Sequence, residues 1–244
     1  MNMGATVKIE LGARDLVNAL GNLTAFASKP SDHAPVLEHL MIEFSASDMV
    51  AYATDRYRLA RTRHRVASLE SSATDPGSNG PEFVTALMHR DIAEQFSKAL
   101  KAEKFLVKNN LNVPLEVVLE AGEVMEWSLM LNGSRHVRSA HSETRGLNFP
   151  NIQSLFPSED PRDLATAWAV NPKFMIDMMK VKDHALSGPL NDREPVRFIT
   201  PSIKSDGRIV GSLASYRFEW FECVLMPCRV VDNKYANYRL ADAL

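Results

Sequence analysis

The chain has 244 residues, of which 45% are hydrophobic and 24% are charged, and its formal net charge is −2. These values are typical of a globular protein with one or two domains, and they exclude a polycation, so binding to nucleic acid requires a local basic surface. No apolar run reaches membrane-spanning length. The first residues also lack the basic and apolar regions of a secretion signal, which favours a cytoplasmic location.

The first predicted unit, residues 5–67, is a strand followed by a helix and three further strands. The helix is indicated by apolar residues that recur at helical spacing from Leu16 to Ala27, and Pro30 marks its end. A polar turn at 45–48 separates the first two of the three strands, which are rich in aromatic and β-branched residues. This order of elements is typical of an α+β protein.

The same order of elements then recurs. A Ser-, Gly- and Pro-rich stretch at 68–82 predicts a surface connection to a second strand–helix–strands unit, and the two units together form residues 1–147. A proline-containing linker at 148–163 leads to a third unit at 164–232, and a polar tail occupies 233–244. We therefore predict an α+β fold of three repeated units, in which each helix covers its apolar stripe against a sheet or another helix.

The sequence offers little chemistry for catalysis. Asp55 is followed by arginines, which lower the pKa of a carboxylate and make it a poor base near neutral pH. His136 and His141 fall on opposite faces of a predicted strand, so they cannot chelate one metal ion. Cys223 and Cys228 lie in one apolar stretch and are interpreted as reduced thiols. The prediction is a protein that is not an enzyme and that binds neither metal nor cofactor.

Basic residues on the outer faces of the three predicted helices are the candidate DNA contacts. Taken one helix at a time, they are compatible with an ordinary solvated face, and on the first helix Asn18 and Asn22 share it. Taken together, they could line a surface that follows phosphates without reading sequence. The candidates are Arg14, Lys29, Arg90, Lys98, Lys101, Lys104, Lys173, Lys180 and Lys182.

Four stretches of the sequence resemble the bacterial DNA polymerase III beta sliding clamp family. They are PVLEHLMIEF at 35–44, ATDRYRLA at 53–60, FPNIQSLFP at 149–157, and NPKFMIDMMK at 171–180 with CVLMPCRV further on. They occur in the family's order. The resemblance implies a non-enzymatic processivity factor: a ring around duplex DNA with helices lining the hole, sheets outside, and phosphate contacts that carry no sequence information.

The resemblance also implies a shortened chain. The family's chain has three domains of two units each, whereas here residues 1–147 resemble its middle domain and residues 164–232 resemble the second half of its last domain. Because the family's ring holds twelve units, three units per chain imply a homotetramer, with a trimer of two-domain chains as the alternative. In a tetramer the odd third unit would pair with its copy in a neighbouring chain through a two-fold contact.

In the family, an apolar groove binds short peptides of the polymerase and the clamp loader. Arg56-Tyr57 replaces the family's usual Gly-His, and Ser154 replaces a basic residue, which puts the peptide preference in doubt. The alternative for the apolar positions is plain core packing. For the whole chain, the alternatives are an interaction module that kept the groove without closing a ring, or an unrelated α+β enzyme. The matching positions are Leu37, Thr54, Arg56, Tyr57, Arg58, Leu59, Pro150, Ser154, Leu155, Val224 and Met226.

The charged residues around the proposed groove receive structural interpretations. We expect Asp55 to hold neighbouring arginines or backbone in place rather than to move protons. We expect Arg61, Arg63 and His64 to contribute charge to the outer face of the sheet, away from DNA.

Overall fold

A computed structural model describes residues 5–30, 34–72, 84–120, 123–131, 135–139, 144, 146–152, 156, 172–184, 197–199, 202–203, 209–210 and 213–225. The strand predicted at the start of the third unit and the polar tail lie outside the described residues. So do Cys228 and His141, whereas Cys223 is buried. None of the described helices is long and apolar enough to cross a membrane.

The first two units follow the predicted order of elements, with additions. The first contains β1 (Ala5–Gly12), α1 (Ala13–Leu23), a 3-10 turn (Pro35–Glu38), β2 (His39–Phe44), β3 (Asp48–Thr54) and β4 (Arg58–Ser71). The second contains β5 (Val84–His89), α2 (Arg90–Ala102), α3 (Lys104–Asn109), β6 (Asn112–Glu120), β7 (Glu123–Leu131) and β8 (Arg135–Ser139). The short helix α3 is not predicted from the sequence. Strand β4 also continues into the stretch that was expected to be a surface connection.

In the third unit, the structure describes one helix and several short strands. These are α4 (Pro172–Met179), β9 (Arg197–Ile199), β10 (Ser202–Ile203), β11 (Ile209–Val210), β12 (Leu213–Phe218) and β13 (Phe221–Leu225). The helix is shorter than the stretch predicted from its sequence. Strands β9, β12 and β13 join the main sheet, while β10 and β11 form a separate hairpin.

The first two units share one antiparallel sheet with the strand order β5-β2-β3-β4-β1-β6-β7-β8. Each unit gives its first strand to the other, because β1 pairs with β6 and β5 pairs with β2. Strand β7, next to one end of the sheet, also approaches β5 at the other end, since the indole N–H of Trp127 on β7 donates to the Leu87 carbonyl on β5 at 3.2 Å. The reciprocal exchange makes the two units one body.

Helices α1 and α2 pack closely together on one face of this sheet. A Cβ atom at Gly21 of α1 would lie 2.8 Å from Ser97 Oγ and 3.2 Å from Lys101 Nζ on α2. The predicted apolar stripe of α1 is buried as far as Leu23, where the helix ends. Ala27 is also buried but lies beyond the helix, in the segment that leads to the 3-10 turn.

The third unit attaches to the first through β4. The first residues of β4, Arg58–Thr62, pair with β13, and the last residues of the same strand pair with β1. On the helix side, two α1 side chains bind the segment after α4. The Asn22 amide donates to the Lys182 carbonyl at 2.9 Å and accepts from its N–H at 3.1 Å, and Asn18 accepts from the His184 N–H at 2.9 Å. Asn18 and Asn22 are therefore buried and do not lie on the outer face expected from the sequence.

Candidate functional site

The turn between β3 and β4 is organised by two short polar side chains. Asp55 Oδ1 accepts hydrogen bonds from the N–H groups of Tyr57 at 3.1 Å and Arg58 at 2.9 Å. The Thr54 hydroxyl donates to the Arg58 carbonyl at 2.7 Å and accepts from the Arg56 N–H at 3.2 Å. The backbone of Arg56 has a φ of 77°, a region that favours glycine. Asp55 thus holds backbone in place, as expected from the sequence.

The Arg58 side chain points to the helix side of the sheet and joins three parts of the chain. It is 8% exposed and donates to both the Asp55 carboxylate, at 2.7 and 2.9 Å, and the Asp177 carboxylate of α4, at 2.8 Å. It also donates to the Ala25 carbonyl at 2.9 Å. Its guanidinium lies over the rings of Phe26, at 5.2 Å, and Phe174, at 4.9 Å. Arg58 therefore fixes α4 against the first unit.

A cleft of about 460 Å³ opens beside Arg58 on the helix side. It brings together three of the predicted DNA contacts, Lys29, Arg90 and Lys173, which come from three separate segments. The Arg90 guanidinium is fixed by the carbonyls of the loop after α1, with Nη1 to Ser28 O at 2.8 Å. Asp177 also lines the cleft. Burial raises the pKa of Asp177, but the hydrogen bond from Lys180 and the charge of Arg58 bring it below its usual value.

The other predicted DNA contacts do not share this cleft. Lys101 lies beside Gly21, and burial lowers the pKa of Lys101. The pKa of His184 is also lowered, mainly by burial of its ring and to a smaller extent by the charge of Lys101. Lys182 sits on the segment that covers α1. The three remaining lysines are exposed: Lys98 pairs with a glutamate at 2.7 Å, Lys180 pairs with Asp177 at 3.0 Å, and Lys104 begins α3. Arg14 is half-buried at the start of α1.

The opposite, outer face of the sheet carries a second apolar cluster. The register pairs Leu59 with Val224, and both pack with Tyr52 and with Ile152 of the linker. Leu59, Val224 and Ile152 are only 4%, 3% and 2% exposed. Thr54 lies opposite Leu59 in the β3–β4 ladder, on the same face. The predicted groove positions Thr54, Leu59 and Val224 are therefore brought together, beneath a cover formed by the linker.

The structure does not bring the remaining predicted groove residues into this cluster. Leu37 is buried in the 3-10 turn but belongs to neither apolar cluster, and Arg58 points to the other face. Arg56 and Tyr57 are exposed at the turn, where the Tyr57 ring stacks on Phe174 at 5.9 Å between centroids. Pro150 is exposed. Ser154, Leu155 and Met226 lie outside the described residues.

Several residues that border the outer cluster were not among the sequence-based candidates. The Arg61 guanidinium lies 4.3 Å from the centroid of the Phe156 ring and pairs with Glu222 on β13. Tyr52 stands opposite Arg61, and burial raises the pKa of its phenol. Because side chains two apart on a strand share a face, counting in twos from Leu59 and Thr54 identifies Arg61 and Tyr52. The linker residue Ile152 has no such periodic signal.

An open cavity of about 290 Å³ adjoins the covered cluster on the outer face. Met41 and Phe149 line it and also pack against the cluster. Leu87 and Leu147 contribute further apolar surface. Polar side chains line it as well, so the cavity offers a ligand an accessible site of mixed character next to the linker.

His64 lies elsewhere than expected. Its ring is buried on the helix side, with Nδ1 3.6 Å from Asp15 Oδ1 of α1 and the ring centroid 5.2 Å from that of Trp220. The reason is the period of the strand, since His64 falls on the same face as Arg58 and Thr62, whereas exposed Arg63 points outward. Among the described residues, no group of three acidic, histidine or cysteine side chains is arranged to hold a metal ion.

Comparison with known proteins relates this architecture to DNA clamps. No protein-family model and no curated protein matches the sequence. The structure of a DNA polymerase sliding clamp from Pseudomonas aeruginosa with a ligand aligns with a TM-score of 0.54 and 10% identity, over 92% of this chain and 66% of that one. The chain has the sliding-clamp fold.

Two further structures from the same organism agree with this likeness. Another P. aeruginosa sliding clamp aligns with a TM-score of 0.54 at 12% identity over 92% of this chain and 67% of that one. The P. aeruginosa DNA polymerase III subunit beta aligns with a TM-score of 0.53 at 10% identity over 91% and 66%. The chain thus spans about two thirds of the length of these clamps, and at such identities the likeness concerns the fold.

Proposed function

We propose that this protein is a subunit of a DNA sliding clamp, a non-enzymatic ring that encircles duplex DNA and tethers a polymerase to it in the cytoplasm. The observation that carries the proposal is a continuous sheet running from β8 to β9, with α1, α2 and α4 on one face. Such a layer offers helices to a central hole and a sheet to the outside. A tether of this kind raises the polymerase's effective concentration at the primer end without adding chemistry.

The helix side is the proposed DNA surface. Lys29, Arg90 and Lys173 would meet the phosphates at the cleft, and Lys101 and Lys182 would meet them over α1. Contacts of this type read no sequence, and each neutralised phosphate makes binding more sensitive to salt. The exposed cations Lys98, Lys104 and Lys180, with Arg14, complete the proposed set.

The outer cluster is the proposed docking site for peptides of the polymerase and the clamp loader. Since Leu59, Val224 and Ile152 are buried, a peptide can reach them only if the linker moves aside. The open cavity lined by Met41 and Phe149 gives the peptide a first contact beside the linker. We therefore expect peptide binding to increase hydrogen exchange in the linker while it protects β13.

A ring of four chains is the favoured assembly, and a ring of three is the alternative. The tetramer follows from three units per chain, whereas the coverage of two thirds of a clamp chain supports two domains per chain and hence the trimer. Strand β8, whose partner among the described residues is β7, offers an edge for a neighbouring chain. Native mass spectrometry decides between four and three times the 27.2 kDa chain mass, and a monomer at micromolar concentration would count against a closed ring.

The decisive experiment uses DNA topology. The protein is loaded by a clamp loader onto nicked circular DNA, which is then linearised. Retention on the circle with release from the linear form is the expected result, and equal retention on both would exclude encirclement. Charge reversal of Lys98, Lys101 and Lys180 should weaken loading or sliding but leave peptide binding intact. Charge reversal of Arg63 and Arg65, which are exposed on the outer face, is the matched control.

An interaction module without ring closure is the second candidate. It is favoured by the outer apolar cluster, which forms within one chain and needs no neighbour. Peptide binding that persists while no ring forms under any condition would select this candidate.

A further inference from the structure

Helix α3 presents an exposed aromatic ring beside two lysines. The Phe105 side chain is 71% exposed, whereas Leu106 and Val107 of the same helix are buried in the core. Lys104 and Lys108 are both exposed and lie one helical turn apart, so their side chains share a face of the helix. In the part of the chain that the structure describes, no carboxylate pairs with either ammonium group.

Folding does not explain this arrangement. Two exposed lysines elsewhere pair with carboxylates, Lys98 of α2 with Glu94 at 2.7 Å and Lys180 after α4 with Asp177 at 3.0 Å. Like charges four residues apart destabilise a helix, and an exposed phenylalanine gains little from burial. The Phe105 ring and its flanking lysines therefore fit a surface that meets a ligand better than one that supports the fold.

The helix is held rigidly in place. Its residues Leu106 and Val107 belong to the main core. Immediately after it, the Asn110 side chain binds the start of α1, and the Leu111 carbonyl accepts a hydrogen bond from the Ala13 N–H at 2.8 Å. A ring presented on a fixed backbone loses little freedom when a ligand stacks on it.

We propose that α3 binds a short segment of unpaired nucleic acid, with a base stacked on Phe105 and neighbouring phosphates at Lys104 and Lys108. An aromatic face flanked by cations is what single-stranded nucleic acid requires, since the ring takes a base and the charges follow the backbone. Duplex DNA buries its base faces, and an acidic peptide has no base to stack. An anionic membrane would need a wider apolar surface than Phe105 and the 40%-exposed Leu111 provide. This contact needs no closed ring. Lys104 also belongs to the proposed duplex surface, so Phe105 is the residue that tests the contact separately from encirclement.

The test measures the fluorescence anisotropy of a short labelled oligothymidylate mixed with the full chain. We expect Phe105→Ala to weaken binding about five-fold or more, the effect of losing one stacked base. Phe105→Leu should bind the oligothymidylate as weakly as Phe105→Ala does, because leucine has no π face. Lys104→Glu with Lys108→Glu should weaken binding further, while Arg63→Glu with Arg65→Glu should leave it unchanged. Since Phe105 is exposed, its variants should melt at the wild-type temperature.

Three outcomes would overturn the proposal. One is equal affinity of wild type and Phe105→Ala for the oligothymidylate. Another is that Phe105→Ala loses as much affinity for a blunt duplex of matched length as for the oligothymidylate, which would mean that the contact is to the backbone alone. The third is Phe105-dependent binding of polyglutamate or of phosphatidylserine vesicles when the oligothymidylate does not bind, which would identify an acidic peptide or a membrane as the occupant.

Discussion

Replacing Arg58 with alanine should loosen α4 of the third unit from the first unit. The Arg58 guanidinium is the single group that binds Asp55, Asp177 and the Ala25 carbonyl, so its removal breaks contacts to the β3–β4 turn, to α4 and to the loop after α1 together. The β4–β13 ladder would remain as a connection. We therefore expect α4 to loosen while the first two units stay folded.

The size of the effect follows from the carboxylates left behind. Removing one partner of a buried ion pair costs about 3–5 kcal/mol when the remaining charge has no other partner. Here Asp55 retains two backbone N–H groups and Asp177 retains Lys180, and their side chains are 13% and 20% exposed. We therefore expect a loss near the lower end, about 3 kcal/mol in the free energy of unfolding.

Urea unfolding followed by circular dichroism measures this loss, and hydrogen exchange locates it. Exchange should increase most in α4 and little in β7. The control is Arg63→Ala on the same strand, where an exposed side chain should matter by less than about 0.5 kcal/mol. A loss under about 1 kcal/mol for Arg58→Ala, or unchanged exchange in α4, would refute the role assigned to this residue.

Three further predictions use single positions. Arg56→Gly should raise the free energy of unfolding by about 0.5–1 kcal/mol in urea titrations, since glycine relieves a φ of 77° at some cost in chain entropy. Asn110→Gly should lower the free energy of unfolding by about 1 kcal/mol. Glycine accepts the φ of 47° without strain, so the variant loses only the side-chain cap on α1. Burial lowers the pKa of His39, so stability should fall as the pH drops below about 6.5, where the unfolded chain takes up the proton first. His39→Gln should reduce this dependence without abolishing it, because burial also lowers the pKa of His184.

Each of these has an outcome that would contradict it. Strain at Arg56 is excluded if the glycine variant is less stable than wild type. The cap is unimportant if Asn110→Gly and Asn110→Ala both match wild type. A flat pH profile of wild-type stability between pH 7 and 5 would be incompatible with buried neutral histidines.

Periodicity was sufficient to predict the elements of the first two units but not their connections. Apolar spacing located α1 because this helix buries a stripe in the core. Helix α3 has six residues, which are too few for a periodic pattern to emerge. It is fixed by Asn110, whose side chain caps α1 through backbone N–H groups that lie 95 and 96 residues earlier in the chain. Contacts over such separations leave no local pattern in the chain.

The candidate site was predicted in part for the same reason. Leu59 and Val224 come together because β4 and β13 pair in register, which the resemblance suggested and strand period supports. The burial of Asn18 and Asn22 could not be foreseen from helix spacing, which leaves both on the polar side of α1. They are buried because their amides bind the segment at 182–184 of the third unit. Asn22 exchanges hydrogen bonds with the Lys182 backbone, and Asn18 accepts from the His184 N–H and donates to the Asp183 carboxylate.

Strand β4 gives consecutive residues to the two proposed surfaces. Arg58 faces the cationic cleft and Leu59 faces the outer apolar cluster, since neighbouring side chains on a strand point to opposite faces. The two activities should therefore be separable by adjacent substitutions. Arg58→Lys keeps a charge but loses the fork that holds α4, so it should weaken retention on circular DNA and leave peptide affinity unchanged. Leu59→Ala should do the reverse, and a variant at either position that lost both activities while remaining folded would show that the surfaces are not independent.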